Sequence, residues 1–470
     1  MLTYSWSQLA VLCGGRLAGA GAENPRRVVI DSRAVQPGDL FVALQGERRD
    51  GHEFLKDVAA AGAAGALVSR EVGDLPATFG QIRVEETLAG FQRLARAHRE
   101  KMNVRVVGIT GSNGKTTTKE MLAHLFRESG RTVLATRGNL NSQVGLPLML
   151  LELDSSHSHA VFEMGASGPG DLARLAELAR PHIGVVTGIG KAHLETFGSL
   201  DGVLAAKWEL VEGLGKDGIA FLNADDPRLL SRRATAQCPV VTFGRSAQAD
   251  VRAENLRVDP NTAFDLTVGG ARVPVHLPVT GLFNVTNALA AAAVALWERI
   301  LLPEVARGLG GFAPPAQRMQ MRRRIDGSLF LIDAYNANPD SMAASLASFA
   351  QAFPHWPRVA VLGSMLELGA SAEPEHRELG RTLAGSRLDK ILFVGPEGPW
   401  VREGYEAAGG KGFFKAGEDR EEIRRELSKV ITPDSVVLFK ASRGVRLEDI
   451  YEPFLVPGEG GIQPGRVHGG

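Results

Sequence analysis

The stretch Arg105-Val106-Val107-Gly108-Ile109-Thr110-Gly111-Ser112-Asn113-Gly114-Lys115-Thr116-Thr117-Thr118 decides how this chain is read. An apolar, β-type run ends in a glycine loop, and the loop opens into a helix-forming stretch, Lys119 to Arg127. Glycines let successive backbone N–H groups turn onto an anion, and the helix N-terminus adds a favourable dipole. Lys115 adds a positive charge, and Thr116 offers a hydroxyl to Mg²⁺. Gly111, Ser112, Asn113, Gly114, Lys115, Thr116 and Thr117 together read as a phosphate cradle whose natural guest is ATP. A strict Gly-x-x-x-x-Gly-Lys-Ser/Thr match would need glycine at position 109, where Ile109 stands, so the loop is a shorter variant. The alternative is a glycine-rich strand-to-helix turn that binds nothing.

Outward from this loop, 470 residues exceed what one hydrophobic core usually serves, so two to three domains are expected. Lys+Arg and Asp+Glu both number 53, and the balanced charge leaves no footprint for nucleic acid or an anionic membrane. The longest apolar stretches, such as Ala288 to Trp297, fall short of a bilayer span. Met1-Leu2-Thr3-Tyr4 begins no basic-then-apolar signal, so a soluble, cytoplasmic protein is expected. Cys13 and Cys238 lie far apart without a Cys-x-x-Cys pattern, which fits reduced thiols better than a disulfide framework or a zinc site.

The pattern divides the chain into three α/β units and a tail. Residues 1–83 read as a small α/β domain, with turn-forming clusters at Asp31-Ser32-Arg33 and Gly46 to His52. Residues 84–314 form the central unit: the phosphate loop, then strands at Thr132–Ala135, Ala160–Glu163, Ile183–Thr187 and Gly218–Leu222. An antiparallel appendage follows at Val251–Val258, Ala263–Val268 and Arg272–Leu277. Residues 315–457 alternate strands and helices again as a Rossmann-like unit without a Gly-x-Gly-x-x-Gly fingerprint. Residues 458–470, glycine-rich and without apolar period, are expected to be a disordered tail.

Functional residues in parallel sheets collect at the carboxyl ends of strands. Glu163 ends one strand and could hold Mg²⁺, and His193 follows another in Gly188-Ile189-Gly190-Lys191-Ala192-His193-Leu194-Glu195. Lys207 falls on the same helical face as Leu200, Val203, Leu204, Val211 and Leu214. Desolvation there would leave a neutral amine able to act as a base or to form a carbamate with carbon dioxide. A snorkelling lysine is the alternative. Asn284 could cap the alanine-rich helix that follows Gly281, and the Asn287 amide could read a base edge. The loop Asp333-Ala334-Tyr335-Asn336-Ala337-Asn338-Pro339-Asp340-Ser341-Met342 is dense in hydrogen-bonding groups where a parallel strand ends.

These residues resemble the Mur ligase family along nearly the whole chain. Thr110 to Thr116, Glu163, Lys191 to Glu195, Lys207 and Asn284/Asn287 match the family in general. Tyr335-Asn336-Ala337-Asn338-Pro339, Leu362-Gly363-Ser364-Met365-Leu366-Glu367-Leu368-Gly369, Gly138-Asn139-Leu140-Asn141 and Ser442-Arg443-Gly444 match its D-alanyl-D-alanine-adding members. The resemblance implies an ATP-dependent ligase joining D-alanyl-D-alanine to UDP-N-acetylmuramoyl-tripeptide in peptidoglycan precursor synthesis, acting as a monomer. It implies that Lys115 binds phosphates, that Thr116, Glu163 and His193 serve two Mg²⁺ ions, and that Lys207 is carbamylated. Asn287, Arg318 and Asp333 would serve the nucleotide, and Asn139, Asn141, Tyr335, Asn336 and Asn338 the substrates. Ser32, Arg33, Gly46 and His52 would line the UDP-sugar site. Phe283, Ile332 and Ser364 depart from the family pattern of His, an acidic residue and Asp.

Other readings make distinct demands. A ligase adding the third amino acid would carry Asp-Asn-Pro-Arg in its last domain, whereas the nearest string here is Glu23-Asn24-Pro25-Arg26 in the first. A GTPase would want Asn-Lys-x-Asp, which is absent. A small-molecule kinase rests on the phosphate loop alone.

Overall fold

The computed structural model describes residues 2–19, 21–46, 48–192 and 194–455. The tail expected at residues 458–470, and His193, lie outside these described residues. Three separate sheets organise the chain.

The first sheet runs Arg16–Gly19, Gly80–Arg83, Gly65–Val68, Asp39–Val42, Arg27–Val29 in space, parallel except for the first pair. Of its three inner strands, Asp39–Val42 and Gly65–Val68 are buried throughout, as apolar runs covered on both faces should be. The helix Thr87–Glu100 then joins this unit to the next. One apolar cluster runs from Trp6, Leu9 and Val84 through Phe91 and Leu94 of that helix to Phe162 and Leu172 of the middle unit. Each such side chain contributes about 1.5–3 kcal/mol on burial, so the first two units share a core and are firmly joined. Glu23 to Arg26 lies in the irregular segment before Arg27–Val29, where Arg26 pairs with Glu23 at 3.2 Å.

The middle sheet has nine strands. From one edge they run Ala271–Leu277, Asn261–Val268, Val251–Asp259, Val240–Gly244, Ile219–Asn223, Ile183–Val186, Arg105–Thr110, His159–Glu163, Val133–Ala135. The expected antiparallel appendage is present, and its strands continue the same sheet. Val240–Gly244, a short strand with no alternation to mark it, is the joint, pairing in parallel with both Ile219–Asn223 and Val251–Asp259. The phosphate-loop strand lies between His159–Glu163 and Ile183–Val186, so successive connections leave it in opposite directions. A crevice opens above the carboxyl ends at such a switch point, and the helix Lys115–Glu128 starts there. The alanine-rich helix Leu282–Trp297 packs against it, and most of its residues are buried because small side chains allow close approach. Asn284 is not its cap. The helix begins after Gly281 at φ +108°, and the Asn284 amide donates to Thr280 O at 2.8 Å from within the first turn.

The last sheet runs Gln320–Arg323, Leu329–Ile332, Val436–Lys440, Arg358–Gly363, Lys390–Val394, Phe413–Gly417, parallel after the first pair. Both edge strands and the helix Gly398–Ala407 escaped the sequence reading, because half-solvated edges carry no continuous apolar run. This unit has apolar clusters of its own, against which Val258 and Phe283 of the middle unit pack. Polar contacts join it to the phosphate loop as well, among them Arg318 with Thr116 and Asn338 with Asn113.

Candidate functional site

The phosphate loop is shaped by its glycines. Gly114 sits at φ +83°, and a Cβ there would come within 2.2 Å of Asn287 Oδ1. At Gly111 (φ +142°) a Cβ would meet Thr187 Oγ1 at 2.0 Å. The loop is tied down from the neighbouring strand: Ser112 N donates to Gly188 O at 2.9 Å, and Thr187 Oγ1 donates to Asn113 O at 2.5 Å. Lys115 Nζ lies within this ring, donating to Gly111 O at 2.7 Å and Ser112 O at 3.3 Å. Burial lowers its pKa, opposed by the Glu163 carboxylate and reinforced by Arg318.

Glu163, 4% exposed at its strand end, is held at three points. Thr116 Oγ1 donates to its Oε2 at 2.7 Å, Asn141 Nδ2 donates to its Oε1 at 2.7 Å, and its backbone N–H donates to Thr136 Oγ1 at 3.0 Å. A hydroxyl and a carboxylate side by side, at the mouth of a phosphate cradle, are the oxygen donors that Mg²⁺ takes together with phosphate oxygens. Among the described residues, no three His, Cys, Asp or Glu side chains cluster as a metal cage. The Thr116 hydroxyl and the Glu163 carboxylate fit an ion shared with substrate phosphate.

Lys207 is 2% exposed on the helix Leu200–Glu212, as its place on the apolar stripe implied. Its ammonium lies 5.4 Å from the Phe197 ring centroid. Burial, with Lys115 adding like charge, lowers its pKa to about 7 against the pull of Asp171 and Glu209.

From the last sheet, the loop after Leu329–Ile332 forms the opposite wall. Asp333 Oδ2 accepts from Lys440 Nζ at 2.7 Å and from Ser345 Oγ at 2.5 Å. The Tyr335 ring supports the Arg318 guanidinium at 4.2 Å, and Arg318 donates to Thr116 Oγ1 at 3.0 Å. Asn338 caps the helix Pro339–Ala352, and its Nδ2 donates to Asn113 Oδ1 at 2.9 Å. Lys191 adds two bridges: its backbone N–H donates to Asp340 Oδ2 and its Nζ to Glu375 Oε1, both at 2.6 Å.

The resulting cleft encloses about 1190 Å³. It brings together Ser112 to Thr117, Asn139, Asn141, Glu163, Asn287, Arg318, Asp333, Tyr335, Asn336 and Asn338. Asn287 stands between the phosphate helix and Asn284, accepting from Thr118 Oγ1 at 3.4 Å and donating to Asn284 Oδ1 at 3.2 Å. Phe283 lines the same cleft, whereas Ile332 is buried in its strand and Ser364 is buried against Glu397.

Ser32, Arg33, Gly46 and His52 are not among the residues lining this cleft. They belong to turns of the first sheet. Arg33 is paired with Asp31 at 2.8 Å, and Gly46 N donates to Arg49 O at 2.9 Å. The His52 ring is committed at both nitrogens, Nδ1 to Asp50 at 2.6 Å and Nε2 accepting from Ser69 N at 3.0 Å. Lys440, Asp340 and Glu375 were missed by sequence reasoning. Asp340 carried a signal in Asn-Pro-Asp, at a helix start, whereas Lys440 and Glu375 looked like ordinary charges.

Comparison with known proteins follows this geometry. The description "Mur ligase family, catalytic domain" matches residues 26–109, "Mur ligase middle domain" matches 109–295, and "Mur ligase, glutamate ligase domain" matches 317–443. The UDP-N-acetylmuramoyl-tripeptide--D-alanyl-D-alanine ligase of Escherichia coli is 37% identical over 456 residues, 96% of this chain and 98% of that protein. The crystal structure of MurF from Acinetobacter baumannii superposes with a TM-score of 0.88 at 34% identity, covering 96% of this chain and 98% of that one. The MurF ligase of Thermotoga maritima, solved in complex with ADP, gives a TM-score of 0.80 at 31% identity, covering 91% and 97%.

Proposed function

The chain belongs to the Mur ligase family, and we propose that it is the ATP-dependent ligase that joins D-alanyl-D-alanine to UDP-N-acetylmuramoyl-tripeptide. The observation that carries this reading is the two-walled cleft, in which a phosphate loop from one sheet and an amide-rich loop from another touch through Arg318–Thr116 and Asn338–Asn113.

The terminal carboxylate of the tripeptide attacks the γ-phosphorus of ATP, giving an acyl phosphate and ADP. The amine of D-alanyl-D-alanine then attacks the acyl carbon; phosphate leaves with the C–O electron pair, and the new amide nitrogen loses a proton. Charge builds on oxygens in both steps, and fixed groups stabilise it without reorganising. Lys115 and the loop N–H groups sit on the phosphate side, and Arg318 reaches the same point from the other wall. Thr116 and Glu163, with His193 and Lys207 as its carbamate, would hold two magnesium ions, which supply Lewis-acid charge on phosphate oxygens when bound. Asn287 and Asp333 serve the nucleotide, Asn139 and Asn141 the tripeptide side, and Tyr335, Asn336 and Asn338 the amine side. The UDP-sugar end lies with Ser32, Arg33, Gly46 and His52 of the first domain. We take the domains as residues 1–83, 84–314 and 315–457, acting as a cytoplasmic monomer; no helix among the described residues is long and apolar enough to cross a membrane.

The decisive experiment measures ADP release from ATP with each co-substrate alone and with both. Release that requires UDP-tripeptide and D-alanyl-D-alanine together is expected. Equal release with a single free amino acid in place of the dipeptide would assign the chain to another branch of the family.

A further inference from the structure

Lys440 ends the strand Val436–Lys440, which lies inside the last sheet between Leu329–Ile332 and Arg358–Gly363. It is 2% exposed, and an ammonium is buried only at high cost unless its donors are filled. Its Nζ donates to Asp333 Oδ2 at 2.7 Å and to Asn336 O at 3.3 Å. One charge thus clamps both ends of the stretch Asp333-Ala334-Tyr335-Asn336. Ser345 Oγ reinforces the first end from the helix Pro339–Ala352, at 2.5 Å from the same Asp333 oxygen.

Between the clamped ends, next to Ala334, lies Tyr335. Its ring carries the Arg318 guanidinium at 4.2 Å, and its backbone N–H donates to Gln317 O at 3.2 Å, so two contacts link the clamped stretch to Gln317 and Arg318. Arg318 in turn donates to Thr116 Oγ1, which donates to Glu163. A continuous line of contacts runs from a buried charge in the last sheet to the phosphate loop of the middle one.

We propose that Lys440 is a positioning residue for the ligation: by fixing Asp333 and Asn336 it sets Tyr335, and through Tyr335 the reach of Arg318 to the nucleotide side of the cleft. The inference rests on the reading of this cleft as the ATP site of a ligase. A lysine that merely fills the end of a strand would influence stability without discriminating between substrates. A lysine acting along this line affects the nucleotide more than the UDP-sugar end, which lies beyond it.

The test uses the full chain with Lys440→Met, which keeps the stem and removes the charge. ADP affinity is read by calorimetry, and KM is measured separately for ATP and UDP-tripeptide. ADP binding should weaken about tenfold, the scale of coupling between residues in one hydrogen-bond network, and the ATP KM should rise with it. The UDP-tripeptide KM should stay within about twofold of wild type, since the line enters the site at Thr116 on the nucleotide side and includes none of the residues placed at the UDP-sugar end, Ser32, Arg33, Gly46 and His52. Unchanged ADP affinity, or an equal rise in both KM values, overturns the proposal. Tyr335→Ala and the double variant complete the cycle. The double variant should bind ADP no more weakly than the weaker single one, and independent, additive losses overturn the line. If Lys440→Met fails to fold by circular dichroism, Ser345→Ala decides on the same terms, because it removes the other donor to Asp333 and leaves the ammonium in place. A wild-type chain that binds ADP but does not need both co-substrates would sink the ligase reading and leave the calorimetric test of Lys440 standing.

Discussion

Asn113 of the phosphate loop and Asn338 at the head of the helix Pro339–Ala352 pair their side-chain amides, with Asn338 Nδ2 donating to Asn113 Oδ1 at 2.9 Å and the return contact at 3.5 Å. The same Asn338 caps its helix, its Oδ1 accepting from Ser341 N at 2.9 Å. One side chain therefore fixes the start of a helix in the last domain and touches the loop that cradles phosphate in the middle one. Lys191, bonded to Asp340 and Glu375, braces the same junction.

Assigned to the amine side alone, Asn338 would be dispensable for acyl-phosphate formation, whereas the contact with Asn113 makes it matter to both half-reactions. In Asn338→Ala, hydroxylamine trapping of the acyl phosphate should fall together with ligation, and stability should drop by about 1 kcal/mol from the lost cap. Asn338→Asp should keep the cap, and so the melting temperature, but not the trapping, since it lacks the donor to Asn113. Trapping at wild-type yield in both variants would return Asn338 to the amine side alone. Lys115→Ala should abolish trapping.

Gly114→Ala places a methyl group within 2.2 Å of Asn287 Oδ1, at φ +83°, where a side chain is already strained by about 1–2 kcal/mol. Loss of ADP binding is expected, measured by calorimetry on protein whose circular dichroism is unchanged. Wild-type affinity would mean that the loop can move away from Asn287 at no cost to the cradle.

Lys207→Ala should lose at least about tenfold in turnover, the range typical of supporting groups at metal sites. Short carboxylates such as formate or acetate should restore part of it, because they can stand in for a carbamate. Unimpaired turnover of the alanine variant, or a loss that no carboxylate relieves, would argue against the carbamate.

Two buried imidazoles, His98 and His376, and the half-buried His182 should make the fold acid-sensitive. His98, His182 and His376 all have pKa values lowered first of all by burial. His98 accepts from Tyr4 Oη at 2.9 Å and donates to Leu153 O at 2.8 Å, an arrangement suited to the neutral ring. The unfolded chain takes up these protons near the ordinary histidine value of about 6.5, before the folded protein does. Stability is therefore full above that value and is lost as pH falls through it toward the lowered folded values. Urea midpoints from pH 7.5 to 5 should decline, and less steeply for His98→Gln. Identical slopes would remove His98 from this account.

Local chemistry in the sequence determined the heart of this protein. The run Arg105 to Thr118 can hardly be anything but strand, glycine loop and helix, and the structure has the strand Arg105–Thr110 and the helix Lys115–Glu128 around the loop. Lys207 stood out for the same reason, since helical periodicity alone put an ammonium on an apolar stripe, and it is buried. Tertiary structure decided what these pieces face. Asn113 and Asn338 are 225 positions apart, Lys440 and Asp333 107 apart, and nothing in either neighbourhood announces its partner. The edge strands Gln320–Arg323 and Phe413–Gly417, and the fusion of the expected appendage with the central sheet, likewise escaped local reading. Periodicity reports how a segment is buried within its own element, whereas strand order and the meeting of two loops across a cleft depend on packing between distant segments.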